Sequence, residues 1–390
     1  MRVLLVNAHG ADLGHGGAEK YVGELVAGLE SRGDAVDVLS AFPAQVDASG
    51  GKTVVLHATD WRDHSLRRIR NHLGDLVCNP SSRLRDAVAA ARPDVAHTNN
   101  LPGITTAIWE VCRRLGIPVV HTIHDYYLLC PRVTLQRRNG TPCCSHPAYC
   151  RLRSARLGRW SQAVREVIAV SEHVRRRHED LLSGAKFHVV RIPIAPFAPD
   201  PLRPPRTPPR TIGYLGALGL VKGIADLVEA APRLADLGYE VQVAGEGRLR
   251  PLVEAAASRG DLRYRGPVHG DDKLRFVEST DLAILPSTWE EPGAPPYAVA
   301  EWLAAGRPIL VARRGGLDEV SHLLRGAVSM EVGAEGIVAA ARTLTAEAPW
   351  RELVGSIPAP DRTAIDRWVD LHRKIYELAA SASRSSTRRR

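Results

Sequence analysis

The residues best suited to chemistry are a lysine and two glutamates in the second half of the chain. Lys222 follows a glycine-containing loop, and Glu291 and Glu301 lie further along. A lysine at the mouth of such a loop can neutralise phosphate oxygens, and carboxylates can accept hydrogen bonds from paired sugar or ribose hydroxyls. These residue types favour a site for a phosphorylated, hydroxyl-rich ligand. A surface lysine beside a turn is the alternative for Lys222.

Two glycine loops could bring backbone N–H groups close to an anion. Gly16 and Gly17 open the first long predicted helix, and Gly216 lies in the loop that precedes Lys222. Glycine permits close backbone approach, and a helix N-terminus favours negative charge. Tight structural turns would explain the same glycines.

Polar residues also follow the predicted strands of the first half. His97, His124, Asp125 and Ser171 each stand at the end of a short apolar run. Ligands of parallel sheets gather at the carboxyl ends of strands, so these residues are candidates for the acceptor side of a site. The alternative for a single histidine such as His97 is a side chain that is hydrogen-bonded within the protein or exposed to solvent, without a functional role.

Four of the six cysteines form a cluster, Cys130, Cys143, Cys144 and Cys150. Without an export signal they do not indicate a disulfide framework. Three or four thiolates could build a closed zinc site, but no pair has the C-x2-C spacing. Reduced cysteines in a loop are the favoured interpretation, with zinc as the alternative.

The elements that must position these residues are strands and helices in alternation, in two α/β domains. Seven prolines within 196–210 exclude a helix or a central strand there and predict a linker. The predicted ranges are an N-terminal Rossmann-like domain at 1–195, the linker at 196–210, a C-terminal Rossmann-like domain at 211–362, a helix at 363–381 that could pack back on the N-terminal domain, and a disordered basic tail at 382–390.

Composition excludes other classes of protein. Of the 390 residues 44% are hydrophobic and 24% are charged, as in an ordinary globular enzyme rather than a disordered chain. The start of the sequence is typical of a buried strand, not of a signal peptide, and no apolar run is long enough to span a bilayer. A cytoplasmic location is therefore expected.

The net charge of +9 is unevenly placed. Residues 151–178 carry eight arginines and two glutamates, and residues 384–390 carry four more arginines. A solvated helix face with a frayed tail is one interpretation. Peripheral contact with an anionic acceptor or membrane is the other. Nucleic acid is not expected, because no aromatic stacking pattern accompanies the arginines.

The sequence resembles family 4 of the nucleotide-sugar glycosyltransferases, which are retaining enzymes with the GT-B fold. The matching segments span residues 1–325: Gly16-Gly17-Ala18-Glu19, Val119-Val-His-Thr-Ile-His-Asp125, Val170-Ser-Glu172, Lys222-Gly223, Gly245-Glu-Gly247, Pro286-Ser287, Glu301 and Gly315-Gly316-Leu-Asp-Glu-Val320. The resemblance implies two Rossmann-like domains that face a central cleft.

The resemblance also implies a role for each candidate. The backbone at Gly16 and Gly17 would face the donor phosphates, and Lys222 would hold the pyrophosphate. Glu301 would accept from the ribose hydroxyls, and the loop around Val268 would meet the base. His124 would lie beside the donor sugar and the acceptor.

Three positions depart from the family pattern. Ala217 stands where the family usually has arginine, which would leave Lys222 alone on the pyrophosphate unless another arginine substitutes. The family's usual E-x7-E motif is not matched, because the residue eight positions before Glu301 is Gly293 and not a glutamate. Either Pro295-Pro296 is an insertion and Glu291 keeps the sugar-binding role, or that role has moved. Ile194-Ala195 replaces the usual Asn-Gly.

The sequence therefore predicts a bacterial enzyme that transfers a hexose-type sugar from a UDP- or GDP-sugar to a hydroxyl acceptor, with retention. Polysaccharide or glycolipid synthesis and natural-product glycosylation are both compatible. No cofactor and no catalytic metal are expected. The alternatives are other GT-B chemistry, such as an epimerase or a phosphorylase, and a catalytically weakened protein that binds nucleotide-sugars.

Overall fold

A computed structural model of the chain describes residues 1–9, 16–42, 53–56, 74–137, 140–143, 147–198 and 202–387. The chain divides into two compact units. The first unit comprises Met1–Leu135, Cys143–Arg191 and Ile365–Arg390, and the second comprises Gln136–Pro142 and Ile192–Ala364. Each unit contains a parallel β-sheet with helices packed against it, which confirms the predicted α/β class.

The sheet of the first unit has seven strands among the described residues. They are β1 (Arg2–His9), β2 (Ala35–Phe42), β3 (Thr53–Val55), β4 (Val95–Thr98), β5 (Val119–Ile123), β6 (Val164–Ala169) and β7 (Lys186–Val189). All neighbours pair in parallel in the order β3-β2-β1-β4-β5-β6-β7. The direction of winding therefore reverses between β1 and β4, where such sheets form a crevice at their carboxyl edge.

The sheet of the second unit repeats this plan. Its described strands are β8 (Thr211–Leu215), β9 (Glu240–Ala244), β10 (Arg263–Tyr264), β11 (Leu282–Leu285), β12 (Ile309–Ala312) and β13 (Ala327–Met330). The order is β10-β9-β8-β11-β12-β13, again parallel, with the reversal between β8 and β11.

The first helix buries one apolar stripe against the sheet. In α1 (Gly17–Glu30) the side chains of Val22, Leu25, Val26 and Leu29 are completely buried, at the spacing of a helix face. The first unit also contains α2 (Ser82–Ala91), α3 (Ala107–Arg114), α4 (Ala148–Gly158) and α5 (Glu172–His178). The second contains α6 (Ile224–Asp236), α7 (Arg250–Ser258), α8 (Gly270–Ser279), α9 (Tyr297–Ala304), α10 (Gly316–Leu323), α11 (Ala334–Thr343) and α12 (Glu347–Ser356).

The C-terminal helix α13 (Ala364–Thr387) belongs to the first unit although it follows the second in the chain. Val369 and Tyr376 are completely buried, and the backbone of α1 at Gly28 lies so close that a Cβ atom there would clash with Val369. The helix extends to Thr387, beyond the predicted helix end at residue 381. No glycine or proline follows Ala380, so nothing stops a helix that is already nucleated.

The proline-rich stretch 196–210, predicted as the interdomain linker, clusters with the second unit. The Asp281 carboxylate accepts hydrogen bonds from the backbone N–H groups of Arg206, Arg210 and Thr211, at 2.8, 2.9 and 3.0 Å. The indole of Trp350 donates to the Arg206 carbonyl at 2.7 Å. These contacts, made at Arg206 and Arg210, hold the C-terminal part of the stretch. Residues 136–142 also cluster with this unit, outside the boundaries expected from the sequence.

A search of the described residues found no helix with the length and apolar character needed to cross a membrane.

Candidate functional site

The second unit holds a buried carboxylate between a lysine and a hydroxyl. Lys222 Nζ donates to Glu291 Oε1 at 2.7 Å, and Ser287 Oγ donates to the same oxygen at 2.6 Å. The side chain of Glu291 is 5% exposed, whereas that of Lys222 is 28% exposed. The ammonium also lies 5.1 Å from the centre of the Trp289 ring. The lysine therefore has one fixed partner and still reaches solvent.

The topology of the second sheet explains this meeting. Lys222 follows β8, and Ser287 and Glu291 follow β11. These strands are neighbours at the point where the sheet reverses its winding, so their carboxyl ends flank the crevice. The structure thus brings together Lys222 and Glu291, which the sequence separates.

Two glycines allow the loop with Glu291 to lie against the start of α10. Gly316 N–H donates to the Glu291 carbonyl at 2.6 Å, and Gly315 pairs with Glu291 in an isolated parallel bridge. Gly315 has φ +59°, and a Cβ atom there would lie 2.6 Å from Glu290 Cα. Only glycine meets both requirements, so this pair positions the carboxylate.

Glu301 lies on α9 and has a different cationic partner. Lys273 Nζ, from α8, donates to Glu301 Oε2 at 2.9 Å and stands 5.3 Å from the centre of the Phe197 ring. The Glu301 side chain remains 22% exposed. Its carboxylate is thus oriented by Lys273 and accessible to a ligand.

The other predicted donor residues of this unit are backbone positions. Gly216 N–H donates to the Ala244 carbonyl at 3.1 Å, and Ala217 is exposed. Val268 packs partly buried against the core. None of these residues has a polar side chain, so they could contact a ligand only through backbone groups or apolar surface.

In the first unit, the hydrogen bonds of His124 fix its tautomer. Asn99 Nδ2 donates to the carbonyls of Val6 and His97, each at 3.4 Å, which leaves Asn99 Oδ1 to accept from His124 Nε2–H at 2.9 Å. His124 Nδ1 therefore carries no proton. Burial, with smaller contributions from His121 and His372, lowers the pKa of His124 to about 3. The ring is neutral near pH 7 and can accept a hydrogen bond there.

Asp125, which follows His124, also has an altered acidity. Its Oδ1 accepts from the Tyr127 backbone N–H at 2.8 Å. Burial raises the pKa of Asp125 to about 6, because it opposes the charged form more than the Tyr127 N–H favours it. A small cavity is lined by both residues together with Asn99, Asn100, Leu101 and Leu128. The carboxyl ends of β4 and β5 thus surround a polar depression.

The prediction that His97 lies on the acceptor side is wrong. His97 is completely buried beneath α13, with Nδ1 2.7 Å from the Tyr376 hydroxyl and Nε2 2.7 Å from Thr122 Oγ1. Burial keeps the pKa of His97 well below its usual value. Both ring nitrogens are satisfied internally, because strand alternation turns this side chain towards the C-terminal helix. His97 is a structural residue.

Tyr21 joins this buried network to His124. His372 Nδ1 donates to the Trp368 carbonyl at 2.7 Å, so its Nε2 accepts from the Tyr21 hydroxyl at 2.5 Å. The Tyr21 ring meets the His124 ring edge to face, with centroids 4.5 Å apart. The C-terminal helix therefore supports the residue that packs against His124.

Three further candidates, Ser171, Gly16 and Gly17, lie at helix N-termini. Ser171 is completely buried and caps α5, where its Oγ accepts from the Val174 N–H at 3.0 Å. Gly16 and Gly17 are exposed at the N-terminus of α1, and the Glu19 carboxylate lies against Gly16. Ser171 thus stabilises a helix end, and the α1 N-terminus already has a negative group beside it.

The cysteines show no metal geometry in the described part of the chain. Cys130 is buried, and Cys143 and Cys150 are partly buried. No group of three or more His, Cys, Asp or Glu that could hold a metal ion occurs among the described residues. Cys144 lies outside them.

Sequence reasoning missed Asn99 and Lys273. Ligand-binding residues are expected at the carboxyl ends of strands. This expectation would have identified Asn99, because β4 ends at Thr98 and not at His97. Lys273 has no such signal. It lies within a helix, and only the packing of α8 near α9 brings it to Glu301. Ser287 stands inside a recognised motif, and its bond to Glu291 is visible only in the structure.

Comparison with known proteins identifies the family of the chain. A family model described as Glycosyltransferase Family 4 matches residues 15–209, and one described as Glycosyl transferases group 1 matches residues 209–347. A protein of Klebsiella pneumoniae named "Uncharacterized 42.6 kDa protein in cps region" is 25% identical over 83% of this chain and 88% of its own length. A glycogen synthase of Mycobacterium tuberculosis is 26% identical over 82% of this chain and 80% of its own length.

Solved structures share the fold at lower identity. The catalytic domain of starch synthase IV from Arabidopsis thaliana, bound to ADP and acarbose, has a TM-score of 0.68 at 13% identity and covers 98% of this chain and 99% of its own. HepE from Anabaena, in complex with UDP, has a TM-score of 0.61 at 14% identity over 99% of this chain and 100% of its own. The chain has the GT-B fold of these proteins.

Proposed function

Because the chain belongs to glycosyltransferase family 4 and is a glycosyltransferase, we propose that it transfers a hexose-type sugar from a UDP- or GDP-sugar to a hydroxyl acceptor with retention. The observation that carries the proposal is the pairing of Lys222 with the buried carboxylate of Glu291 at the reversal point of the second sheet. A cation held there, with solvent access, suits the diphosphate of a nucleotide-sugar.

The proposed roles follow from the surroundings of each side chain. Lys222 has protons left beyond the one given to Glu291, and we assign them to the pyrophosphate as charge develops on the leaving group. Glu291, held by Ser287, would accept hydroxyls of the transferred sugar, and Glu301 those of the ribose. This assignment treats Pro295-Pro296 as an insertion in the acidic motif.

We assign His124 to the sugar or the acceptor as a hydrogen-bond acceptor through its unprotonated Nδ1. With a pKa of about 3 it is a weak base at neutral pH, so it would orient a hydroxyl rather than remove its proton. The proton would pass to the leaving phosphate during attack on the same face of the sugar. In this mechanism Lys222 provides the charge that a metal would otherwise supply, and no cofactor is required.

The test begins with nucleotide-sugars screened by thermal shift, followed by an assay of nucleotide release with and without acceptor hydroxyls. We expect Lys222→Ala and Glu301→Ala to lower donor binding or turnover at least tenfold. Unchanged kinetics in both variants would overturn their roles. A chelator should leave turnover unaltered.

A binding protein with weakened turnover is the second candidate, favoured by exposed Ala217 in the place of the family's usual arginine. Such a protein would show the thermal shift with nucleotide-sugar, but it would release no nucleotide with any acceptor. Free phosphate acting as cosubstrate would instead indicate a phosphorylase.

A further inference from the structure

The helix α4 presents an unusual outer face. Tyr149 and Leu152 are 40% and 51% exposed, and Arg151 and Arg156 are exposed beside them. Tyr149, Leu152 and Arg156 follow the three- and four-residue spacing of one helix face. We call these four residues the α4 face.

The inner face of α4 fixes this orientation. Arg153 and Leu157 are buried. The Arg153 guanidinium donates to Asp75 Oδ2 at 2.7 Å and to the Tyr127 carbonyl at 2.6 Å, and Thr106 Oγ1 donates to the Leu157 carbonyl at 2.7 Å. A helix anchored by a buried ion pair and a backbone bond cannot turn its large apolar side chains inward.

The segment of chain that contains α4 carries charged residues of one sign. No acidic residue occurs between Asp125 and Glu166, and this interval contains eight arginines. Solvated helix faces are usually covered by charged and polar residues, whereas the α4 face places a leucine and a tyrosine beside arginines. Arginines flanking large apolar side chains match the boundary between anionic headgroups and acyl chains.

We propose that the α4 face docks the protein on an anionic lipid surface. Arg151 and Arg156 contact the headgroups, while Leu152 and Tyr149 insert at the level of the first acyl carbons. Lipid fits better than nucleic acid, because leucine neither stacks on bases nor binds phosphate. Docking here would bring a lipid-borne acceptor to the first unit, but the inference does not depend on the proposed transferase reaction.

The experiment measures binding of the full chain to phosphatidylcholine vesicles with and without phosphatidylglycerol, at low and high salt. We expect binding only when phosphatidylglycerol is present, with strong weakening by salt. Arg151→Gln combined with Arg156→Gln should weaken binding at least tenfold, and Leu152→Ser severalfold. All four side chains are solvent-facing, so folding should be unaffected and is checked by circular dichroism.

Matched controls lie on α7 of the second unit. Leu252 is 38% exposed there, and Arg250 and Arg259 are exposed at its ends. Leu252→Ser and the double variant Arg250→Gln with Arg259→Gln should bind vesicles like the wild type. The proposal is overturned if anionic vesicles do not bind, if the control variants weaken binding equally, or if an oligonucleotide binds more tightly than vesicles and without dependence on Leu152.

Discussion

Asn99 is the residue that sets the protonation of His124. Its amide orientation is fixed by two carbonyl acceptors, so its oxygen must face His124 Nε2. Removing the amide would free the imidazole to rotate or change tautomer. Then Nδ1 would no longer present a lone pair in a fixed direction.

We therefore expect Asn99→Ala to lower kcat for transfer about tenfold while donor affinity stays unchanged, as for the loss of a positioning bond near the reacting groups. Steady-state kinetics with donor titration would measure both. Asn100→Ala is the matched control, because the described bond of Asn100 is made by its backbone N–H. Equal losses in the two variants would contradict the role of Asn99.

Asp125 gives the candidate site a pH dependence in an accessible range. Its pKa is about 6, so the carboxylate forms as the pH rises from 5 to 7. We expect kcat/KM to rise through pH 6 and then level off, if the carboxylate orients the acceptor. His124, with a pKa of about 3, adds no change in this range. Asp125→Asn should abolish this rise of kcat/KM with pH. A rise that persists in the variant would show that another group titrates.

At the scale of elements, the packing of α10 against the acidic loop depends on Gly315. An alanine there would meet the backbone of Glu290 and would also have to adopt φ +59°. The loop would shift and carry the Glu291 carboxylate away from Lys222.

We expect Gly315→Ala to weaken nucleotide-sugar binding at least tenfold, measured by calorimetry. Gly306 is the control, because it has φ +69° but no atom within 4 Å of an added Cβ. Gly306→Ala thus carries the cost of positive φ, about 1 kcal/mol, without the clash. If both variants bind the donor with the same affinity, donor binding does not depend on the close approach of Gly315 to the loop.

The sequence was informative where local periodicity decides structure. The apolar stripe of α1 and the buried strands could be predicted from spacing alone, because burial of such a stripe needs only a neighbouring sheet. The pairing of Lys273 with Glu301 could not, since it depends on how two helices pack. The burial of His97 was missed for the same reason: its partner Tyr376 comes from the far end of the chain.

At the scale of the whole molecule, the two units differ in how they hold histidines. Among the described residues, the first unit contains five buried or partly buried histidines whose pKa values all lie below the usual value, namely His97, His121, His124, His178 and His372. Burial is the largest cause for each. The second unit contains His269 and His322, and both are exposed.

This difference predicts that acid unfolds the first unit before the second. A histidine with a lowered folded pKa contributes its full stability above the unfolded value of 6.5 and loses it as the pH falls towards the folded value. The loss is about 1.4 kcal/mol per pH unit for each such group. Asp125, with its raised pKa, opposes this loss of stability between about pH 6 and 4.

Hydrogen exchange measured by mass spectrometry at pH 7 and pH 5, corrected for intrinsic rates, would resolve the two units. We expect peptides of β4, β5 and α13 to lose protection at pH 5, while peptides of β8 and β11 keep it. Equal loss in both units would show that general charge repulsion, and not the buried histidines, governs acid stability.

The placement of α13 has a consequence for synthesis. The ribosome releases the strands of the first unit early, but Tyr21 and His97 receive their partners His372 and Tyr376 only when the last helix has emerged. The main segment of the second unit, Ile192–Ala364, lies between these events and can fold while the first is still incomplete. Until α13 has emerged, the nascent first unit therefore exposes a polar and apolar groove that chaperones or proteases could recognise.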